Sequence, residues 1–451
     1  MAQALAAAER HLEAGQLGMA EAVCRQILAA HPSDAHALHL IGVIAGEAKR
    51  YELALAFISK AVAIDDRRAS FHTSLGRAYR MLGRLCEAVR SCRHALQISS
   101  TFAEAHYELG SALYEQGDVL GAITHCRRAI DLKPNHAKAH DRIAAAHLVL
   151  GNFESGWREY EWRRREPRDF SQPQWCGEPL RGERILLHAE EGFGHTLQWV
   201  RYVPLVTARG GRVVLEVQPE LHRLLAHVPG PEVVVARGVP LPEFSWHCPL
   251  PSLPFAFRTQ PTTIPARVPY VSIALDCSVG VANGPLEVGL VWASKPTRKG
   301  NQIRSLPHFS LLAPILEIDQ VKFVSLQKGP AAPQSLNSTQ GSRLIDLALS
   351  FRDFLDTTTA IHELDLVISC DTAVVHLAGA MGKPVWVLLP YVADWKWLLN
   401  REDSPWYPTA RLFRQPTPGA WAPTIERVAV ELRRLVAGDR SVLYPQSSSA
   451  R

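Results

Sequence analysis

Through the first 150 residues the apolar positions recur with helical spacing, and so do the breaks between them. Gly42, Gly76 and Gly110 stand 34 residues apart. Ala20, Ala54, Ala88 and Ala122 keep that interval, as do Ala61, Ala95 and Ala129, and Pro32 returns as Pro134 three intervals later. Gly15, Gly83, Gly117 and Gly151 share a further phase, which Lys49 fills in the second interval. The pattern predicts stacked helix pairs, with small residues where two helices touch, a turn residue between them and proline at the exit. Cys24, Cys92 and Cys126 share a phase with Ile58 and Tyr160, as expected of a core position at a helix contact. His36, His39, His72, His94, His106, His125, His136 and His140 are expected on solvent or groove faces. Residues 137–170 keep Gly151 but place Gly156, Tyr160 and Arg163 at the small and apolar phases, which predicts a capping repeat joining the second half.

Beyond residue 180 the period shortens to that of buried strands separated by helices. Strands are predicted at 183–188, 211–217 and 232–236, then at 288–292, 322–326, 365–369 and 384–389. Helices are predicted at 197–202, 219–227, 310–317, 351–363, 373–382 and 423–437. The proline-rich stretch 237–285 holds no long periodic element, and the junction between two lobes is expected there. Alternating strands and helices argue for parallel sheets, and two such lobes in tandem argue for a cleft that binds ligands at the strand C-termini.

Composition narrows this picture further. A length of 451 residues suggests about three domains. Of 31 prolines, 29 lie beyond residue 150, as do all 11 tryptophans, in keeping with a helical first part, because proline costs ~3 kcal/mol inside a helix. With 47% hydrophobic and 21% charged residues the chain is not disordered, collagenous or membrane-embedded. A net charge of +5 is too mild for a nucleic-acid coat, yet compatible with a local cationic pocket for a phosphorylated ligand. The eight cysteines form no CxxC pair or zinc spacing. The N-terminus carries Glu9, Arg10 and Glu13, unlike a signal peptide, and no window reaches the ~18 apolar residues of a membrane span. A reduced, cytoplasmic protein is expected.

The 34-residue unit resembles the tetratricopeptide repeat, whose LGxxY fragment stands here as Leu75-Gly76 with Tyr79. In the second half, Asp371 and Thr372 follow a buried strand as good N-caps, and the small residues after them, from Ala373, leave helix N–H groups open to an anion. With His376, Leu377 and Ala378 they resemble the DT-x-x-x-H-L-A pattern of the nucleotide-sugar lobe of GT-B glycosyltransferases, in the heptosyltransferase-like group. The plain alternative is that Asp371 and Thr372 only cap and His376 only packs. In that group a strand ending VGLxWA leads to a basic loop facing the donor diphosphate. Here the loop carries Lys295, Thr297, Arg298, Lys299 and Arg304, with Lys295 and Arg304 the preferred ligands; a solvated charge run is the other reading. Gln327 and Lys328, at another strand exit, are placed at the donor base or ribose, or form an ordinary loop.

A glycine loop, 190–196, opens the first lobe. Family members carry an acidic general base just after its second glycine, but this chain has His195, a departure. Histidine can serve as a base, with Glu190 or Glu191 acting directly or orienting it; loss of activity is the other outcome. Gly192 and Gly194 are expected to let the backbone approach acceptor or donor. The segment 391–407, with Asp394, Trp395, Trp397 and Arg401, either shapes the cleft or seals the lobes together. No DxD motif follows a strand, so neither metal nor other cofactor is expected.

The resemblance implies an α + α/β chain. An α-solenoid of tetratricopeptide repeats (1–170) would precede two Rossmann-like lobes in GT-B arrangement, the acceptor lobe at 171–280 and the nucleotide-sugar lobe at 281–440. It implies an inverting glycosyltransferase whose repeats bind a protein acceptor at Ser or Thr, similar to bacterial enzymes that modify flagellin. A heptosyltransferase-like enzyme acting on glycan or lipopolysaccharide, and a non-catalytic repeat adaptor, are the alternatives. Neither nucleic acid nor an integral membrane segment is implied. The final SSSAR is expected to be disordered.

Overall fold

The structure is a computed structural model that describes residues 1–163, 168–273, 284–295, 301–336 and 338–445; the final SSSAR lies outside them. The chain divides into two compact units. The first holds Met1–His147 and a short piece from Arg158, and the second holds Leu148–Trp157 and the rest of the chain.

The first unit is a stack of helix pairs. Ala2–Glu13 pairs with Leu17–Ala30, Ala35–Glu47 with Tyr51–Ile64, Ala69–Met81 with Leu85–Ile98, and Ala103–Gln116 with Val119–Leu132. The 34-residue period has two physical causes here. At the crossing, a Cβ on Gly42 would stand 2.5 Å from Ile58 Cγ1 and one on Gly110 2.5 Å from Cys126 Sγ, while Gly76 meets Cys92 in the same way. The glycine phase and the cysteine phase are thus two sides of one contact. At the turn, Gly15, Gly83, Gly117 and Gly151 take left-handed φ of 72°, 74°, 93° and 80°, and Lys49 is forced to 62°.

The histidines depart from expectation. His39, His72, His136 and His140 are buried. His72 Nε2 lies 2.9 Å from the Asp66 carbonyl, His106 Nε2 3.1 Å from that of Ser100, and His140 Nε2 2.9 Å from that of Pro134. These three histidines are themselves 34 apart and tie each helix to the loop six residues before it. An ion ladder crosses the repeats: Arg77 meets Glu47 at 2.7 Å and Glu108 at 3.9 Å, Arg80 meets Glu108 at 3.0 Å and Glu115 at 2.7 Å, and Arg142 meets Glu115 at 3.9 Å.

The second unit contains two parallel sheets. The first is ordered β3-β2-β1-β4, from β1 (Arg184–His188), β2 (Arg212–Val217), β3 (Pro231–Ala236) and β4 (Trp246–Pro249). The second is ordered β10-β9-β8-β5-β6-β7, from β5 (Leu286–Val291), β6 (Val321–Ser325), β7 (Leu344–Asp346), β8 (Leu366–Cys370), β9 (Val385–Leu389) and β10 (Ala410–Arg414). Counted within its own lobe, each sheet runs 3-2-1-4, the Rossmann order, and the second continues to 5 and 6. In each the order reverses beside the first strand, which opens a crevice at the strand C-termini. Strands β4, β7 and β10 were not foreseen: the first falls inside the stretch read as a junction. The helix expected at 310–317 is a 3₁₀ turn, Phe309–Leu312, running into the short helix Ala313–Leu316.

Aromatic residues fill the boundary between the lobes. Trp199 of the first lobe stacks on Trp395 (6.2 Å, 14°) and meets Trp406 edge-on (5.3 Å, 85°), and Trp157 packs against Trp395 (5.3 Å, 87°). Trp395 and Trp406 belong to the aromatic segment 391–407, which therefore seals the lobes. Among the described residues no helix is long and apolar enough to cross a membrane.

Candidate functional site in the inter-lobe cleft

Each lobe presents the loop after its first strand to the crevice, and each loop is fixed by a glutamine that follows the second strand. In the first lobe Gln218 donates to the Glu191 carbonyl at 2.7 Å and accepts from Thr196 Oγ1 at 2.9 Å. In the second, Gln327 accepts from the backbone N–H groups of Trp292 and Ala293 at 3.0 and 2.8 Å and donates to the carbonyls of Ala293 and Lys328 at 3.0 and 2.8 Å. The amide of Gln327 is thereby spent on the backbone, so it shapes the loop and has no group left for a base or ribose. Lys328 is exposed, with its Nζ on the Phe351 carbonyl.

The glycine loop leads into the helix Phe193–Trp199, with Gly192 as N-cap. His195 lies on its first turn, and its Nε2 is 2.8 Å from Glu191 Oε2. Its Nδ1 is buried and meets no hydrogen-bond partner among the described residues. Of the two neighbouring glutamates, Glu191 makes the contact. A carboxylate holding Nε2–H leaves Nδ1 as the lone-pair nitrogen, the arrangement a general base needs.

Across the cleft, β8 delivers Asp371 and Thr372 to the start of the helix Ala373–Ala380. Thr372 caps it, its Oγ1 accepting from Val374 N at 3.3 Å. Ser369 spends its proton on the Cys370 carbonyl (2.7 Å), so the Thr372 hydroxyl donates to Ser369 Oγ at 3.1 Å. Asp371 is buried, with Oδ2 3.5 Å from Arg304 Nη1 and Oδ1 3.8 Å from His376 Nε2. Ala373, half-buried, opens the helix. His376 is buried, stacked on Trp397 (5.8 Å, 22°), with Nδ1 2.9 Å from the Tyr407 hydroxyl. Burial, with Lys396 and His195 adding, pushes the His376 pKa well below the ordinary histidine value, so the ring is neutral. Lys295 is exposed at the mouth of its loop, and Thr297, Arg298 and Lys299 lie outside the described residues.

The helices Phe193–Trp199 and Ala373–Ala380 meet at Gly194. A Cβ there would stand 2.6 Å from His376 Cδ2 and 3.5 Å from Ala373 Cα. Gly194 was expected to admit a ligand to the backbone, whereas here it admits the opposing lobe. Two groups escaped sequence reasoning. Lys396, buried, pairs with Asp394 at 2.8 Å. Burial raises the Asp394 carboxyl, but Lys396 outweighs it, and with His195 and Arg304 adding, its pKa falls well below the usual carboxylate range. Arg201, also buried, donates to the Trp406 carbonyl at 2.6 Å and the Tyr270 hydroxyl at 2.7 Å. Arg401 instead pairs with Asp403 at 2.7 Å. The cleft thus joins a histidine–glutamate pair, a helix N-terminus and the cation Arg304. Among the described residues no group of three or more His, Cys, Asp or Glu side chains is arranged to hold a metal.

Three stretches match tetratricopeptide-repeat families, residues 5–69, 76–117 and 103–136. Over 338 residues the chain is 31% identical to Protein FlbA of Caulobacter vibrioides, a match covering 64% of this chain and 54% of that protein. The chain therefore spans about half the length of that curated relative. Among solved structures it is similar to MamA (21% identity, 34% of this chain and 91% of that one, TM-score 0.30). It is also similar to TTC0263, a thermophilic TPR protein of Thermus thermophilus (19%, 35% and 87%, TM-score 0.33). A third is YrrB, a TPR protein with an unusual peptide-binding site (19%, 35% and 82%, TM-score 0.29). The N-terminal helical unit of this chain is built of tetratricopeptide repeats.

Proposed function

We propose that the second unit is an inverting, metal-independent glycosyltransferase of two lobes, about 171–280 and 281–440, acting on a hydroxyl acceptor, a Ser or Thr of a protein captured by the repeats. The observation that carries this reading is the His195–Glu191 pair at 2.8 Å, set on the loop whose Gly194 abuts His376. The acceptor oxygen attacks the anomeric carbon of the donor sugar as the bond from that carbon to the diphosphate breaks. The acceptor proton passes to His195 Nδ1, and Glu191 stabilises the imidazolium formed. The departing nucleoside diphosphate takes the bonding electrons, and its charge is met by Arg304, Lys295 and the backbone N–H groups from Ala373, with Asp371, Thr372 and His376 shaping that end. One such displacement inverts the anomeric centre.

The test is transfer from a panel of nucleotide-sugars into a cell lysate, read by mass spectrometry of modified peptides. Wild type should label a protein, and His195→Ala and Glu191→Gln should lose at least 100-fold in rate, the scale of a positioned acid or base. Labelling that is equal in wild type and His195→Ala would sink the catalytic reading. A labelled glycan in place of a protein would move the acceptor to the heptosyltransferase-like alternative.

A further inference from the structure

We propose that Tyr407 is a positioning residue: it holds His376 in the tautomer with its proton on Nε2, so that His376 donates a hydrogen bond to an anionic oxygen of a nucleoside diphosphate where the lobes meet. The identity of the ligand rests on the function proposed above; the tautomer does not.

Tyr407 Oη and His376 Nδ1 are 2.9 Å apart, and either could donate. Arg201, which has only donors, lies 4.6 Å over the Tyr407 ring and spends its N–H groups on the Trp406 carbonyl and the Tyr270 hydroxyl. The neighbouring Tyr270 hydroxyl accepts from Arg201 at 2.7 Å and spends its own proton on the Leu197 carbonyl at 2.9 Å. The hydrogen-bond partner of the buried Tyr407 hydroxyl among the described residues is His376 Nδ1, so a proton on Nδ1 would leave the phenol hydrogen without an acceptor, and the phenol donates to the imidazole nitrogen instead. A neutral imidazole that accepts at Nδ1 carries its hydrogen at Nε2. That nitrogen is 3.8 Å from Asp371 Oδ1, outside hydrogen-bond range, so the carboxylate does not consume the donor.

Two glycines make room for this arrangement. A Cβ on Gly379, one turn beyond His376, would run into the Tyr407 ring. A Cβ on Gly194 would stand 3.3 Å from His376 Nε2. Gly379 leaves room for the ring that orients the imidazole, and Gly194 lets the opposing lobe approach the Nε2 edge without a side chain covering it.

The experiment is ¹⁵N NMR of histidine-labelled full-length protein at pH 7.5, with the His376 signals assigned by their loss in His376→Gln. Wild type should show a protonated Nε2 and an unprotonated Nδ1. Tyr407→Phe should lose that preference, and by calorimetry its affinity for the tightest binder among ADP, GDP, UDP and CDP should drop about tenfold. A wild-type proton on Nδ1 overturns the proposal, and so does an unchanged His376 spectrum in Tyr407→Phe. If Tyr407→Phe does not fold, Gly379→Ala, which displaces the ring and keeps its hydroxyl, replaces it with the same expected spectrum. If the tautomer behaves as stated but none of the four nucleotides binds wild type, the functional reading fails and the positioning of His376 stands.

Discussion

Gly194→Ala tests the seam between the lobes by the sign of its effect. Alanine is the better helix former, and at an unobstructed helical position the change stabilises by up to ~1 kcal/mol. Here the added Cβ would lie 2.6 Å from His376 Cδ2, where carbon pairs prefer about 3.5–4.0 Å, so the ring must yield by about 1 Å. The ring is not able to yield cheaply. It is buried, stacked on Trp397 and bonded to Tyr407 at 2.9 Å. Overpacking of this kind costs about 1–3 kcal/mol, and losing the Tyr407 bond adds about 1 kcal/mol. We expect a net loss of about 2–3 kcal/mol, which for a unit of this size lowers Tm by roughly 3–5 °C in differential scanning calorimetry. An unchanged or raised Tm would refute the claim that the glycine loop packs directly against the Asp371 helix.

Three further outcomes are expected. Lys49→Gly relieves a left-handed residue (φ 62°) and should raise the stability of the helical unit by about 1 kcal/mol in urea unfolding followed at 222 nm; a loss would show that its side chain contributes more than the strain costs. Burial pushes the His39 pKa down to about 4, below its unfolded value near 6.5, so the unfolded chain takes up the proton first as pH falls. Stability is then full above pH ~6.5 and declines towards pH 4 by up to about 1.4 kcal/mol per unit, about 3 kcal/mol in all; His39→Gln should flatten that slope, and an equal slope would exclude His39 as its source. Arg201→Met leaves the Gln198 and Trp406 carbonyls without their donor and should cost about 3 kcal/mol in unfolding followed by tryptophan fluorescence, whereas a cost under about 1 kcal/mol would show that water replaces the guanidinium.

The helical half was legible because its constraints are local and recur. A left-handed turn and a helix crossing each demand a small residue at a fixed phase, and Gly83 and Gly76 show both demands within eight residues. The histidine ties were written in the same period, at 72, 106 and 140, but a polar residue that bonds a backbone carbonyl leaves no hydrophobic signature. In the second half the strands with continuous apolar runs were found. β10 was not, because Arg411 sits in it, buried and neutralised by Glu431 at 2.9 Å. β7 is three residues long, too short for any period. At the cleft, His195 and Glu191 are four residues apart and could be paired on sight. Tyr407 reaches His376 across 31 positions and Arg201 reaches Trp406 across 205, and sequence spacing encodes neither.

The ion ladder of the first unit bears on how that unit comes apart. A repeat array behaves as a one-dimensional chain of intrinsic and nearest-neighbour energies, and its cooperativity is set by the second kind. Arg77, Arg80 and Arg142 each bond to a neighbouring repeat, and Glu108 and Arg80 do so while largely shielded from water. Breaking one rung would strand a charge in a poorly hydrated place, so a single repeat gains little by fraying alone. The energy of the array is concentrated at its joints, which favours melting of these repeats as one block over unravelling from an end.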